Sequence, residues 1–189
     1  KNKMPIVIGV DQSGGLLWKD FIDVFALLVS GEPRSGKSWT VLALVMQFMM
    51  FHSPKDVNFI FMDPKNTVSD FYNLTVQHIR KFIQTDEGIV KTLKWLVKEE
   101  GERRRQLLAQ FGLKDIKDLK KEHPDVELPY LFIVIDEVMT LISRMDDDTK
   151  DEFQSYLSEL VTQLPSVGIR PILIPHVVKH SVLNKNITD

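Results

Sequence analysis

Short, almost unbroken apolar runs alternate along this chain with longer stretches in which apolar residues recur every three or four positions. Runs over 24–30, 57–62, 130–135 and 170–175 are too short for helices and lack polar alternation, so they predict strands covered on both faces. Between the first two, Val41, Leu42, Leu44, Val45, Phe48 and Met49 share one face of a helix predicted over 38–51. Met46, Met49 and Met50 in the same segment read as parts of a buried core helix, with an interaction surface as the other option. Ile89, Leu93, Leu96, Val97, Leu107, Leu108 and Phe111 mark the buried side of a long charged helix over 86–111, with Gly101 as its weak point. A polar turn and short helix follow around 117–121. Phe153, Tyr156, Leu157, Leu160, Val161 and Leu164 predict a further helix, opened by Asp146-Asp147-Asp148, whose charge suits a helix N-terminus. Ahead of all this, 5–10 and 16–18 flank Asp11-Gln12-Ser13-Gly14-Gly15, a turn-rich spacer that predicts an N-terminal β-hairpin. Strands alternating with helices make the fold class α/β, with a mostly parallel sheet.

Length and composition narrow the picture. A chain of 189 residues with 43% apolar and 26% charged residues is ordinary globular material and fits one sizeable domain. Its expected division is a hairpin segment over 1–23 and a core over 24–189. The absence of Cys removes disulfides and thiolate metal sites. The net charge of −2 means that a polyanionic partner would have to be met by local basic patches or by assembly. Apolar stretches stop well short of the ~20 residues that a membrane span needs. Starting at Lys1 and ending at Asp189, the chain reads as an excised segment of a longer protein, truncated at its C-terminal end.

Chemistry enters at the end of the first predicted strand. Gly31-Glu32-Pro33-Arg34-Ser35-Gly36-Lys37-Ser38 matches G-x-x-x-x-G-K-S/T, in the strand–loop–helix setting that the motif needs to bind nucleotide. Gly31 and Gly36 permit a tight wrap whose N–H groups point at phosphate oxygens, and the helix that follows adds its positive end. Lys37 is expected to reach the β- and γ-phosphates of ATP, and the Ser38 hydroxyl to ligate Mg2+. Together with Trp39, these residues form the expected nucleotide-binding stretch. The run over 130–135 delivers Asp136 and Glu137 at its C-terminal end. Asp136 is expected to hold the magnesium shell and Glu137 to polarise the attacking water, which makes ATP a fuel. Asp63-Pro64-Lys65 ends the second strand and reads either as a turn or as a rim facing nucleotide or nucleic acid. His176 follows the last strand and reads either as a γ-phosphate sensor or as a structural histidine. The run from Glu99 to Arg105 is a solvated face, or else one of its arginines serves an interface or active site.

In this order the motifs resemble the motor domain of FtsK/SpoIIIE-type DNA translocases. The carriers are the opening hairpin, the glycine-rich loop, Phe61-Met62-Asp63-Pro64-Lys65, Glu102-Arg103-Arg104, Ile135-Asp136-Glu137 and Gly168-Ile169-Arg170. Within that group the chain is most similar to TcpA-type conjugative coupling proteins. That similarity rests on Gly36-Lys37-Ser38-Trp39, Phe51-His52-Ser53-Pro54, Ile135-Asp136-Glu137-Val138, Gln163-Leu164-Pro165-Ser166 and Ile174-Pro175-His176. Chromosome-segregation members usually carry Ala-Thr-Gln-Arg-Pro where this chain has Ile174-Pro175-His176-Val177-Val178, and an Arg near the position of Pro165. The resemblance implies a RecA-like P-loop NTPase, with helices on both faces of the sheet and subunits assembled as a ring, usually a hexamer, around DNA. It implies a catalytic set of Glu137, Lys37 and His176, and ATP-driven movement of duplex or transferred strand irrespective of sequence. It also implies membrane-channel or other conjugation proteins as partners at the cytoplasmic face of the cell membrane. Chromosome partitioning and protein secretion are the competing uses of the same motor.

Overall fold

The computed structural model describes residues 4–32, 34–66 and 76–175. At its centre are the two strands with the most continuous apolar sequence, β4 (Val57–Met62) and β6 (Tyr130–Asp136), and every residue of both is buried. They pair in parallel, with Phe59 beside Phe132 and Met62 beside Ile135. β7 (Ile169–Ile174) joins the other side of β6, and β3 (Leu27–Leu28) and β5 (Ile79–Ile83) close the two edges. The order is β3-β7-β6-β4-β5, and all the pairings are parallel.

α1 (Lys37–Phe51) covers one face of the sheet: the Phe48 ring lies 6.0 Å from Phe59 and 4.8 Å from Phe132. Ile60 and Ile133 alternate with those phenylalanines and are buried as well, so the opposite face is also covered. α6 (Asp147–Thr162) packs there against β7 and against α2 (Asp86–Trp95). A continuous helix runs from α2 through a π turn (Leu96–Glu100) into α3 (Gly101–Gln110), the Gly101 N–H bonding the Leu96 carbonyl. α4 (Ile116–Glu122) leads to β6, and α5 (Val138–Arg144) leaves it. Among the described residues, no helix is long and apolar enough to cross a membrane.

The expected hairpin is present: β1 (Pro5–Val10) pairs antiparallel with β2 (Leu16–Asp20). Gln47 of α1 fastens it by giving and taking a bond with the Val7 backbone, at 3.1 and 3.0 Å. Phe21 lies edge-on to Phe48 at 5.1 Å and ties the hairpin to the core. Each such buried ring contributes roughly 2–3 kcal/mol of apolar burial.

Several expectations are corrected. The run over 24–30 yields a strand of only two residues, because β3 lies at the sheet edge and leaves Phe25 and Leu28 half exposed. Met46 and Met50 face solvent rather than the core, at 50% and 73% exposure. The charge run over 99–105 is not a plain wet face, since Glu100, Gly101 and Arg104 are buried within it. Arg104 pairs with Glu100 at 2.7 Å and also donates to the carbonyls of Pro129 and Val167, which fastens the long helix to the starts of β6 and β7. β5, absent from the sequence reading, completes the sheet. Pro171 is tolerated inside β7 because backbone bonds alternate in direction along the strand. Gly168 O accepts from Leu131 and Leu173 O from Val29, so the side of Pro171 that lacks an N–H faces β3 just before pairing begins.

Candidate nucleotide-binding site

The glycine-rich loop, Asp63-Pro64-Lys65 and Asp136-Glu137 meet at the C-terminal edge of the sheet, where open parallel sheets place their ligands, whereas Glu102-Arg103-Arg104 and Gly168-Ile169-Arg170 stand at the opposite edge, where β6 and β7 begin. β3 and β6 are separated by β7 alone, so the strand feeding the glycine-rich loop lies about 10 Å from the one carrying Asp136. The register is explicit: Leu28 sits beside Leu173, and Asp136 beside Ile174.

The loop is shaped by backbone angles that few residues accept. Gly36 caps α1 at φ 90°, and Arg34 also adopts a left-handed conformation at φ 64°. A Cβ on Gly31 would come 2.8 Å from Ser35 Oγ, so a side chain there would make the Ser35 hydroxyl turn away. Ser35 N–H returns to the Glu32 carbonyl at 3.2 Å. Lys37, the first residue of α1, is buried, and its ammonium donates to the carbonyls of Gly31 at 2.9 Å and Glu32 at 2.7 Å. Its charge is thereby held within the span of the loop. Ser38 is half-buried one residue on, whereas Glu32, Arg34 and Ser35 are exposed. Trp39 stands on the outer face of α1 at 72% exposure. Pro33 and His176 lie outside the described residues; the strand before His176 ends at Ile174, next to Asp136.

Asp136 is buried at the end of β6. Glu137 follows at φ 59° and ψ 35°, a left-handed conformation that costs a non-glycine residue about 1–3 kcal/mol. It persists because both sides of the peptide are tied: Glu137 N–H donates to Ile174 O at 3.0 Å, and Glu137 O accepts from Leu141 N–H at 3.1 Å. The backbone turn aims a buried carboxylate back at the sheet edge. Its Oε2 accepts from Thr140 Oγ1 at 2.6 Å and from Lys65 Nζ at 2.8 Å. Lys65 itself is placed by a turn after β4 in which Asn66 N–H bonds Asp63 O at 3.2 Å and Asp63 N–H bonds Ile83 O at 2.9 Å.

Thus Gly31, Gly36, Lys37 and Ser38 gather at one strand end, and Asp136 with Glu137 at another on the same edge. Lys65 and Thr140 join the site through Glu137, which no motif shows. Asp63-Pro64-Lys65 reads as a turn or as a rim facing nucleotide or nucleic acid, and the structure puts Lys65 on Glu137; Thr140 follows Glu137 by one helical turn without belonging to any motif. A hydroxyl at Ser38 and a carboxylate at Asp136 are the hard oxygen donors that magnesium prefers, and left-handed Gly36 brings the positive N-terminal end of α1 with Lys37 to the loop, so the residues fit Mg-ATP. Among the described residues, no group of three or more His, Cys, Asp or Glu forms a separate metal site.

DNA translocase FtsK of Caldanaerobacter subterraneus subsp. tengcongensis is 28% identical over 174 residues, covering 92% of this chain and 24% of the relative. DNA translocase SftA of Bacillus subtilis is 29% identical over 182 residues, covering 89% of this chain and 19% of the relative. The chain therefore spans about a quarter or less of the length of these curated relatives. Among solved structures, the cytoplasmic domain of the Type VII secretion ATPase EccC from Thermomonospora curvata superposes with a TM-score of 0.84 at 25% identity, covering 99% of this chain and 23% of that one. The pCW3 conjugation coupling protein TcpA, in its monomer form with ATPγS, superposes with a TM-score of 0.76 at 23% identity, covering 98% and 51%. A family model for FtsK/SpoIIIE matches residues 1–174, and with the fold and the site geometry in agreement, the chain belongs to the FtsK/SpoIIIE family.

Proposed function

We propose that this chain is the motor of an ATP-hydrolysing DNA translocase, acting as the coupling protein of a conjugative plasmid or integrative element. The observation that carries the ATPase reading is Glu137, a buried carboxylate held in a strained turn beside Asp136, on the same sheet edge as the Lys37 loop. Lys37 would leave its loop carbonyls for the β- and γ-phosphates, and Ser38 with Asp136 would hold Mg2+. The ion supplies charge neutralisation across the phosphates when bound. Glu137 would orient water and take up its proton, and His176 would sense the γ-phosphate. The family supports DNA as the track, and the matches around Trp39, Pro54 and Pro175 support conjugation over chromosome partitioning. Working as a ring, with Trp39 beside the nucleotide and with membrane-channel partners at the cytoplasmic face of the membrane, belongs to the same proposal. Movement of protein is the second reading, favoured by the likeness to EccC across 99% of the chain.

ATP hydrolysis measured with and without duplex tests the proposal. Lys37→Ala should abolish turnover through loss of nucleotide binding, whereas Glu137→Gln should bind ATP normally and turn over about 10²–10⁴-fold more slowly. Equal loss of binding in both variants would refute these roles. Turnover indifferent to DNA but raised by a secretion substrate would favour the second reading.

A further inference from the structure

Lys65, on the rim that follows β4, makes a direct ion pair with the carboxylate on which hydrolysis depends. To orient an attacking water, Glu137 must offer that water a carboxylate oxygen with its negative charge intact. Here Oε2 is occupied twice, by the Lys65 ammonium at 2.8 Å and the Thr140 hydroxyl at 2.6 Å. The ammonium both competes for the oxygen and neutralises its charge.

The pair is asymmetric. The Glu137 side chain is 4% exposed and that of Lys65 is 45% exposed. The Glu137 side chain is the more confined of the two, because it is buried and its peptide is tied to β7 and to α5 on either side. Backbone bonds also anchor the turn that carries Lys65, and Asn66 accepts a bond from Gln84 at 2.9 Å. Only the Lys65 side chain, four methylenes long and already half in solvent, can part from its partner without disturbing buried structure. An anion at the rim is what would draw it out, and at this edge the anion is a phosphate oxygen.

We propose that Lys65 is a gate on Glu137: it pairs with the carboxylate and restrains hydrolysis until a phosphate oxyanion takes the ammonium over, leaving Glu137 charged and open to water. Lys65 is thus a positioning residue that acts through Glu137. Two sources carry the same chemistry, the phosphodiester backbone of nucleic acid and the terminal phosphate of the bound nucleotide. The gate rests on the ATPase reading above, but not on DNA being the track.

The test compares the full chain with Lys65→Met and Lys65→Arg, measuring ATP turnover, KM for ATP and Tm, each with and without a duplex oligonucleotide. Lys65→Met should raise turnover in the absence of duplex by about 5–10-fold, the scale of releasing one half-exposed ion pair, with KM little changed and Tm lowered by the loss of the buried carboxylate's cation. Lys65→Arg keeps a cation and donors and should restore the restrained rate. If duplex accelerates the parent but adds little to Lys65→Met, nucleic-acid phosphate opens the gate. If duplex multiplies both rates alike, the nucleotide's own phosphate opens it. A parent indifferent to duplex, with Lys65→Met still faster, would refute the DNA track and leave the gate standing. Turnover of Lys65→Met at or below the parent rate, or a lower Tm without a faster rate, would overturn the gate.

Discussion

Arg170 carries its charge into the sheet, and among the described residues no carboxylate pairs with it. One nitrogen donates to the carbonyls of Phe21 and Val24, while Nε and Nη2 find no hydrogen-bond partner. The flat guanidinium instead lies 4.6 Å from the Tyr130 ring and 5.6 Å from Phe25, contacts that partly offset the loss of water. Tyr130 OH is buried and unbonded too, and burial pushes its pKa up to about 12. The folded state therefore keeps this proton more tightly than the unfolded chain. Its contribution is complete below about pH 10 and is lost as pH climbs towards 12, by at most about 2–3 kcal/mol. Tyr130→Phe keeps the ring under Arg170 and removes an unpaired hydroxyl, so it should leave stability unchanged or raise it by about 1 kcal/mol at neutral pH. Denaturant titrations at neutral and alkaline pH check both parts, and the variant should lose less stability than the parent between pH 10 and 12. At this scale the sequence showed Lys37, Ser38, Asp136 and Glu137 because fixed spacing announces them. It could not show that Lys65 meets Glu137 across 72 residues, since that contact depends on strand order.

Among the elements, the helix from Asp86 to Gln110 is where local preference and packing disagree. Alanine in place of glycine inside a helix gains about 1 kcal/mol by propensity, which makes Gly101→Ala look stabilising. Yet a Cβ there would lie 2.6 Å from Leu164 Cδ2 and 2.9 Å from the Leu96 carbonyl, the acceptor that closes the π turn. Leu164 can shift but the carbonyl cannot. Overpacking of this kind costs about 1–3 kcal/mol, so the variant should unfold at lower denaturant concentration than the parent. A higher midpoint would mean that propensity dominates. The buried elements were the readable ones: β4 and β6 match their apolar runs because helices cover both faces, and the faces of α1 and α6 follow their periodicity. The edges were not readable. In β5, Arg80 and Lys81 interrupt the apolar pattern of a strand that, among the described residues, pairs on one side only, and in β3 an apolar run that reads as a core strand forms two residues of pairing. Around Glu100 and Arg104 the sequence reads as a solvated face or as an interface or active-site arginine, because charge alone does not reveal an i,i+4 pair buried against Pro129 and Val167.

For the whole molecule, the decisive quantity is a net charge of −2. Clusters of basic residues have acids beside them, as in α4, where Lys117, Lys120 and Lys121 share one short helix with Asp118 and Glu122. A lone subunit so composed should hold duplex weakly, whereas copies arranged around a common axis can aim their few inward cations at one stretch of backbone. If DNA is the track, affinity therefore depends on assembly, and two dependences follow. Turnover per subunit should rise steeply with protein concentration in the absence of DNA and rise again when duplex is added. Duplex binding should weaken with salt along a log–log slope of about −0.9 per phosphate contacted, with little response to base sequence. Titrating protein at fixed ATP, with and without duplex and at two salt concentrations, measures both dependences together. A rate that follows concentration but ignores duplex would leave a ring motor with a protein track. A rate that ignores both concentration and DNA would mean that this sheet edge hydrolyses ATP as a solitary domain, with neither ring nor track coupled to it.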